Sequence, residues 1–180
     1  MGNVFICADL HFSHKNIIKY EDRPFADTEE MDRALILNWN SVVKEDDKVF
    51  VLGDVAFTSK AKTMELVRQL NGHKILVMGN HDRGRSVKFW LECGFDVVSP
   101  YPILYEGRYL LMHEPPIDLS APTPYFHIYG HVHGSGEYKN LTDRSACVSI
   151  ERINYTPALF EDVISGKAYC NIDEQRKDIT

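Results

Sequence analysis

Residues 75–82 read ILVMGNHD: four apolar residues, a glycine, and then Asn80, His81 and Asp82. A short apolar run stopped by glycine and a polar cluster predicts a buried strand, Lys74 to Met78, whose end presents side chains instead of continuing the sheet. The same pattern occurs twice upstream: Val4 to Ala8 runs into Asp9-Leu10-His11, and Lys48 to Leu52 runs into Gly53-Asp54. Helical patterns lie between the runs. Asp27 followed by Glu30 is a capping-box signature, and Met31, Leu35, Trp39, Val42 and Val43 then recur at helical spacing, predicting a helix from about Thr28 to Lys44. Ser59 to Leu70 predicts a second helix, with Met64, Val67 and Leu70 on one face.

Beyond Asp82 the pattern turns strand-rich. A short helix around Ser86 to Glu92 precedes a strand, Phe95 to Ser99, and a hairpin of Tyr101–Tyr105 and Tyr109–Met112 around Glu106-Gly107. A proline-rich loop, Glu114 to Pro124, leads to strands at His127–Tyr129 and Ala146–Ile150, and Tyr155-Thr156-Pro157 opens a last helix to about Ile164. A βαβαβ half followed by a strand-rich half predicts an α/β fold of two sheets packed face to face with outer helices. Residues 1–170 form one domain in this reading, and residues 171–180 are a polar tail expected to fray.

Composition narrows the function. With 44% hydrophobic and 26% charged residues in 180, the chain matches globular proteins, and no apolar run approaches the roughly 18 residues of a membrane span. The N-terminus lacks the basic region of a signal peptide. Cys7, Cys93, Cys147 and Cys170 are scattered without a CxxC, which reads as reduced thiols in a cytoplasmic setting. A net charge of −6 argues against duplex nucleic acid as a partner. Neither a membrane partner nor an oligomeric state is indicated.

The chemistry collects at the strand ends. Asp9, His11, Asp54, Asn80, His113, His131 and His133 supply two carboxylates, an amide oxygen and four imidazoles, and in α/β sheets ligands bind beyond the carboxyl ends of the strands. The i, i+2 spacing of Asp9/His11 and His131/His133 would place each pair on one face of extended chain. Oxygen and imidazole donors suit divalent Mn, Fe, Zn, Ni or Co, and the absence of neighbouring cysteine argues against a structural zinc site. Seven donors exceed one tetrahedral ion and suit two ions sharing a carboxylate, the arrangement that clamps a phosphoryl centre. Two divalent ions less two aspartates leave about two positive charges, so an acidic protein can hold a phosphate ester.

The ordered blocks Asp9-x-His11, Gly53-Asp54, Gly79-Asn80-His81-Asp82, His113 and Gly130-His131-x-His133 resemble the calcineurin-like metallophosphoesterase superfamily. The resemblance implies a four-layer α/β/β/α sandwich of two mixed sheets with a dinuclear metal site at the strand C-terminal ends. It implies that Asp9, His11, Asp54 and His133 hold one ion, and that Asp54 as the bridge, Asn80, His113 and His131 hold the other. His81 would stabilise phosphoryl oxygens or protonate the leaving group, oriented by Asp82, while a metal-bridging hydroxide attacks phosphorus in line. Manganese is the favoured metal, with Fe, Zn or Ni as alternatives. The implied activity is hydrolysis of a small phosphate ester. A phosphodiester or nucleotide is favoured over a phosphoprotein, because protein phosphatases of the superfamily are generally larger and typically carry Glu where Asp82 stands. A nuclease acting on single strands and a non-enzymatic scaffold are the alternative readings.

Other residues are more open. His14 follows the first ligand pair closely enough to line the pocket, and Arg23 and Arg83 could each clamp a substrate phosphate through their forked guanidinium. His73 reads as a solvated turn residue and His127 as core or strand edge. The 114–124 loop, which follows His113, could wall the pocket.

Overall fold

The first three strands are apolar on both faces, which requires cover on both sides. In the computed structural model, which describes residues 2–116, 123–135 and 144–168, they are β1 (Val4–Cys7), β2 (Lys48–Val51) and β3 (His73–Val77). Helices α1 (Lys15–Tyr20) and α2 (Thr28–Val42) follow β1, α3 (Lys60–Val67) follows β2, and α4 (Val87–Cys93) leads to β4 (Val97–Ser99). Then come β5 (Ile103–Tyr105), β6 (Tyr109–Leu111), β7 (Phe126–Tyr129), β8 (Ser145–Cys147), a 3-10 turn at Ile150–Ile153, β9 (Ala158–Leu159) and α5 (Phe160–Ile164). Two mixed sheets result, ordered β4-β3-β2-β1-β9 and β5-β6-β7-β8. Strands β1 to β4 are parallel and β9 runs against β1; in the second sheet only the β5–β6 pair is antiparallel.

Side-chain alternation sorts the two cores. Phe5, Cys7, Val49, Val51 and Leu76 face the helices and pack on Ile17, Met31, Leu35, Trp39, Leu66, Val67 and Trp90. Ile6, Ala8, Phe50, Leu52 and Val77 face the second sheet and meet Leu111, Ile128, Ala146 and Val148, with Phe160 and Val163 of α5 in the same cluster. Thus two mixed sheets lie flanked by helices. The sheets also join directly at one point: Ala8 pairs with Ser149, the amide of Ala8 donating to Val148 O (2.9 Å) and that of Ile150 to Ala8 O (3.0 Å). This seam sets the end of β1 against the end of β8.

Several elements depart from the sequence reading, each for a local reason. Helix α2 does start at Asp27, whose side chain accepts from the Glu30 amide at 2.8 Å, but Glu30 reaches back to the Ala26 amide, one residue before the cap. It stops at Val42, since Val43 is extended. In α3 the buried face runs through Thr63, Leu66 and Val67 instead of Met64, and Ser59 is the cap. Helix α1 was not expected, being six residues with two adjacent isoleucines and no capping side chain. The last helix begins at Phe160, not near Tyr155: Asn154 and Tyr155 adopt left-handed backbone (φ 53° and 54°), and Ala158-Leu159 pair with β1 as an edge strand. The expected strand to Ile150 ends at Cys147, since Ile150 already belongs to the 3-10 turn. Cys7, Cys93 and Cys147 are buried free thiols; Cys170, the tail 171–180 and residues 117–122 of the proline-rich loop lie outside the described residues.

The inter-sheet core is a plain test of this packing. Ile128, fully buried on β7, should cost about 2–5 kcal/mol when cut to alanine, read as a lower urea midpoint with unchanged slope; a loss below 1 kcal/mol would contradict the face-to-face sheets.

Candidate metal centre

Each of the seven donor residues sits two to four residues past the end of a strand. Asp9 (φ 61°), His11 (52°), Asp54 (55°), His131 (71°) and His133 (46°) all lie in the left-handed region, at roughly 1–2 kcal/mol each, a cost that Asp and His bear better than most residues. The pairs Asp9/His11 and His131/His133 therefore do not share a face of extended chain, as their spacing had predicted; Asp9 and His11 still converge, whereas His131 and His133 turn to different donor groups. The loops are tied to one another: the Asp9 amide donates to Gly53 O (3.1 Å), the His11 amide to Asp54 O (2.9 Å) and the Gly130 amide to His113 O (2.9 Å). Further out, Asp32 of α2 accepts from both the amide and the hydroxyl of Ser13, each at 2.7 Å.

Two groups of the predicted donors result, beside a third that joins His133 to Glu21 and Glu151. Donor atoms of Asp9, His11 and His133 lie within 4.8 Å of one another, and those of Asp54, His113 and His131 do likewise. Asp54 stands between the groups, its Oδ2 3.6 Å from His11 Nε2 and its Oδ1 3.5 Å from His113 Nε2. Asn80 Oδ1 joins the second group, 2.8 Å from His113 Nε2. His113 donates Nδ1–H to Leu52 O at 2.8 Å, which makes Nε2 its lone-pair nitrogen. His131 Nδ1 lies 3.2 Å from that same Nε2.

These residues fit divalent cations on the structure's own terms. Buried polar atoms are normally bonded, yet Asp9 Oδ1 and His11 Nε2 are buried with no hydrogen-bond partner. Glycine is required where the backbone crowds the carboxylates: a Cβ on Gly79 would fall on Asp54 Oδ1, and one on Gly130 would lie 2.7 Å from Asp9 Oδ2.

Around the donors, His81 is half exposed, with Nε2 3.9 Å from Asp54 Oδ2 and its amide donating to Asp54 Oδ1 at 3.1 Å. Asp82 does not turn toward it. Its Oδ2 accepts from the amides of Asp54 (2.7 Å) and Gly79 (2.9 Å) and its Oδ1 from that of Val55 (3.1 Å), so Asp82 clasps two ligand loops together instead of orienting His81. His14 stacks on Phe57 with centroids 3.9 Å apart and sets Nδ1 3.3 Å from His11 Nδ1. Arg83 is exposed and pairs with Glu114 at 3.1 Å. Arg23 is withdrawn from any substrate: its buried guanidinium bonds Glu151 and the carbonyls of Asp9 and Leu10. His73 is exposed and His127 buried.

Sequence reasoning missed Phe57, whose ring lies 5.1 Å from His11 and 4.7 Å from His81, and Glu151, whose Oε1 lies 3.1 Å from His133 Nδ1. Glu151 had one available signal, a carboxylate set between Ile150 and Ile153 in a largely apolar stretch.

Comparison with known proteins bears on this geometry. A family model described as calcineurin-like phosphoesterase matches residues 2–156. The chain is 37% identical over 171 residues to an uncharacterized protein of Methanocaldococcus jannaschii, covering 91% of this chain and 90% of that one. It is 38% identical over 86 residues to the Gene 66 protein of Mycobacterium phage L5, covering 46% of this chain and 41% of the phage protein. A crystal structure of a protein of unknown function from Aquifex aeolicus superposes with a TM-score of 0.71 at 26% identity, covering 92% of this chain and 99% of the other.

Electrostatics set the behaviour of the metal-free protein. Burial pushes Asp54 up from 3.8 to about 7, with Asp9 and Asp82 adding to the rise and His113 opposing it. Burial holds His11 and His131 below the ordinary histidine value, with neighbouring His133 and His113 respectively acting in the same direction, so both favour the neutral, ligating form. Burial would lower His133 too, but its bond to Glu151 and the Asp9 carboxylate raise it to about 9.

Because Asp54 is raised, the folded state binds its proton more tightly than the unfolded chain does. The stability it contributes is present below pH 3.8 and is lost as pH climbs through about 7. Without metal, Asp54→Asn should therefore melt higher than wild type at pH 8, by several degrees at about 2–4 °C per kcal/mol, and show no advantage near pH 4. Equal melting of the two metal-free proteins at pH 8 would contradict the buried, uncompensated carboxylate.

Proposed function

The chain belongs to the calcineurin-like phosphoesterase family, and from that membership we propose that it hydrolyses a small phosphate ester, a phosphodiester or nucleotide in preference to a phosphoprotein, using two divalent cations. The observation that carries the reading is Asp54, a buried carboxylate with one oxygen toward His11 and the other toward His113. In this reading Asp9, His11, Asp54 and His133 hold one ion, and Asp54, Asn80, His113 and His131 hold the other. When bound, such ions neutralise the ester's charge and make water nucleophilic at neutral pH. Manganese is favoured because the set mixes hard oxygen donors with imidazoles; Fe, Zn and Ni fit the imidazoles as well.

The chain's own residues then divide the remaining work. His81 stands half exposed at the mouth, tethered through its amide to Asp54 Oδ1. Its ring is placed to hydrogen-bond a phosphoryl oxygen or to give a proton to the leaving oxygen. His14 and Phe57, stacked beside His11 and His81, wall one side of the mouth, and Arg83, exposed and paired with Glu114, is free to offer its guanidinium to a substrate oxygen in this reading. Asp82 keeps the loops of Asp54 and Gly79 in register and touches no reacting atom. The preference for small esters rests on Asp82, which stands where protein phosphatases of the superfamily typically carry Glu; Asn80, His81 and His131 are exposed around the mouth.

A hydrolysis panel tests the proposal. Bis-nitrophenyl phosphate, nitrophenyl phosphate, cyclic nucleotides and dinucleotides are offered with Mn²⁺, after chelation, and after Mn²⁺ is returned. The expected result is turnover that chelation abolishes and Mn²⁺ restores, with a diester or nucleotide preferred. His81→Ala should lower kcat about 10²–10⁴-fold while the protein still binds Mn²⁺. Turnover surviving both chelation and His81→Ala would overturn the proposal.

A further inference from the structure

We infer that Glu151, clamped by Arg23, is the positioning residue that fixes His133 and the Asp9 loop as one half of the metal centre. The inference rests on the reading that Asp9, His11 and His133 hold a cation, and it concerns residues that reading leaves without a task.

The contacts are specific. Glu151 lies in the 3-10 turn after β8, with its side chain 6% exposed. Its Oε1 takes three donors: Arg23 Nε at 2.9 Å, Arg23 Nη2 at 2.6 Å and His133 Nδ1 at 3.1 Å. Arg23 is fully enclosed, and it also donates from Nη1 to Leu10 O (3.0 Å) and from Nη2 to Asp9 O (2.8 Å). One ion pair thus ties the backbone of Asp9, which follows the first sheet, to the ring of His133, which follows the second. The neighbouring Arg152 holds the main chain of the same loop, donating to His133 O at 2.5 Å and Ser135 O at 2.6 Å. The ring and the backbone of His133 are therefore held by consecutive residues of one 3-10 turn.

Stability alone is a poor account of this pair. Replacing a buried ion pair by apolar side chains of similar volume is often neutral, or stabilising by about 1–4 kcal/mol. What an apolar pair could not supply is an acceptor for His133 Nδ1–H. That acceptor leaves Nε2 as the lone-pair nitrogen, and losing such a partner typically weakens metal binding about 10–100-fold. The forked guanidinium adds a constraint on Asp9, whose left-handed backbone needs holding.

The test separates positioning from folding. Metal-free wild type, E151Q and E151D are compared by circular dichroism and thermal melting, then titrated with Mn²⁺ by calorimetry, with ring ¹⁵N NMR of the Zn²⁺-loaded proteins reporting the His133 tautomer. Wild type should take up two ions and show His133 protonated on Nδ1. Folded E151Q should bind one ion about 10–100-fold more weakly, keep the other within about threefold, and show mixed His133 tautomers. E151D keeps a carboxylate for Arg23 but draws it back from His133, so it should give the same one-site loss even if E151Q melts below the assay temperature. Two ions bound as in wild type by folded E151Q or E151D, or equal weakening of both, would overturn the inference alone. Wild type that binds no ion would overturn the phosphoesterase reading and this inference with it.

Discussion

Burial of two carboxylates side by side is the constraint from which the rest of this structure follows. Asp9 and Asp54 are almost wholly enclosed, in a protein whose net charge is already −6. An isolated buried carboxylate is costly unless it is paired, bonded or protonated. Asp9 leaves one oxygen without a donor, and Asp54 is pushed up to about 7. The nearby His11 and His131 are held neutral, and His133, the imidazole raised to about 9, is already bonded to Glu151. Divalent cations resolve the conflict, and the family to which the chain belongs is one of phosphoesterases.

The fold exists around that point. Parallel strands deliver Asp9, Asp54 and Asn80 to one edge of the first sheet, and the second sheet delivers His113, His131 and His133. The Ala8–Ser149 pairing draws the two edges together. Strain concentrates in the loops: five of the seven donor residues have left-handed backbone, and Asp82 and Arg23, both buried, hold those loops through main-chain bonds. The helices and the inter-sheet apolar core carry the stability that this strained, polar edge consumes.

Much of this was legible in the chain, and the limits have physical reasons. Strands were legible because runs such as Val49 to Leu52 are apolar on both faces and end at glycine or a polar cluster. The site was legible because its donors sit in short blocks at those ends, so topology alone brings them together. What could not be read was direction. Arg23 and Asp82 carry charges that suggest substrate or catalysis, yet both point inward to backbone groups, a choice made by loop dihedrals that residue identity does not announce. Glu151 makes its bonds across more than a hundred residues to Arg23, and no local pattern marks such a pair. Helix α1 and strand β9 were missed because six and two residues carry too little periodicity to register.

In the proposed function one buried aspartate serves two cations. Anomalous diffraction from crystals of the manganese-loaded protein reads this directly. Two manganese peaks are expected roughly 3.5–4 Å apart, one on each side of the Asp54 carboxylate and both within bonding distance of it. A single peak, or two peaks of which one leaves Asp54 untouched, would contradict the proposal.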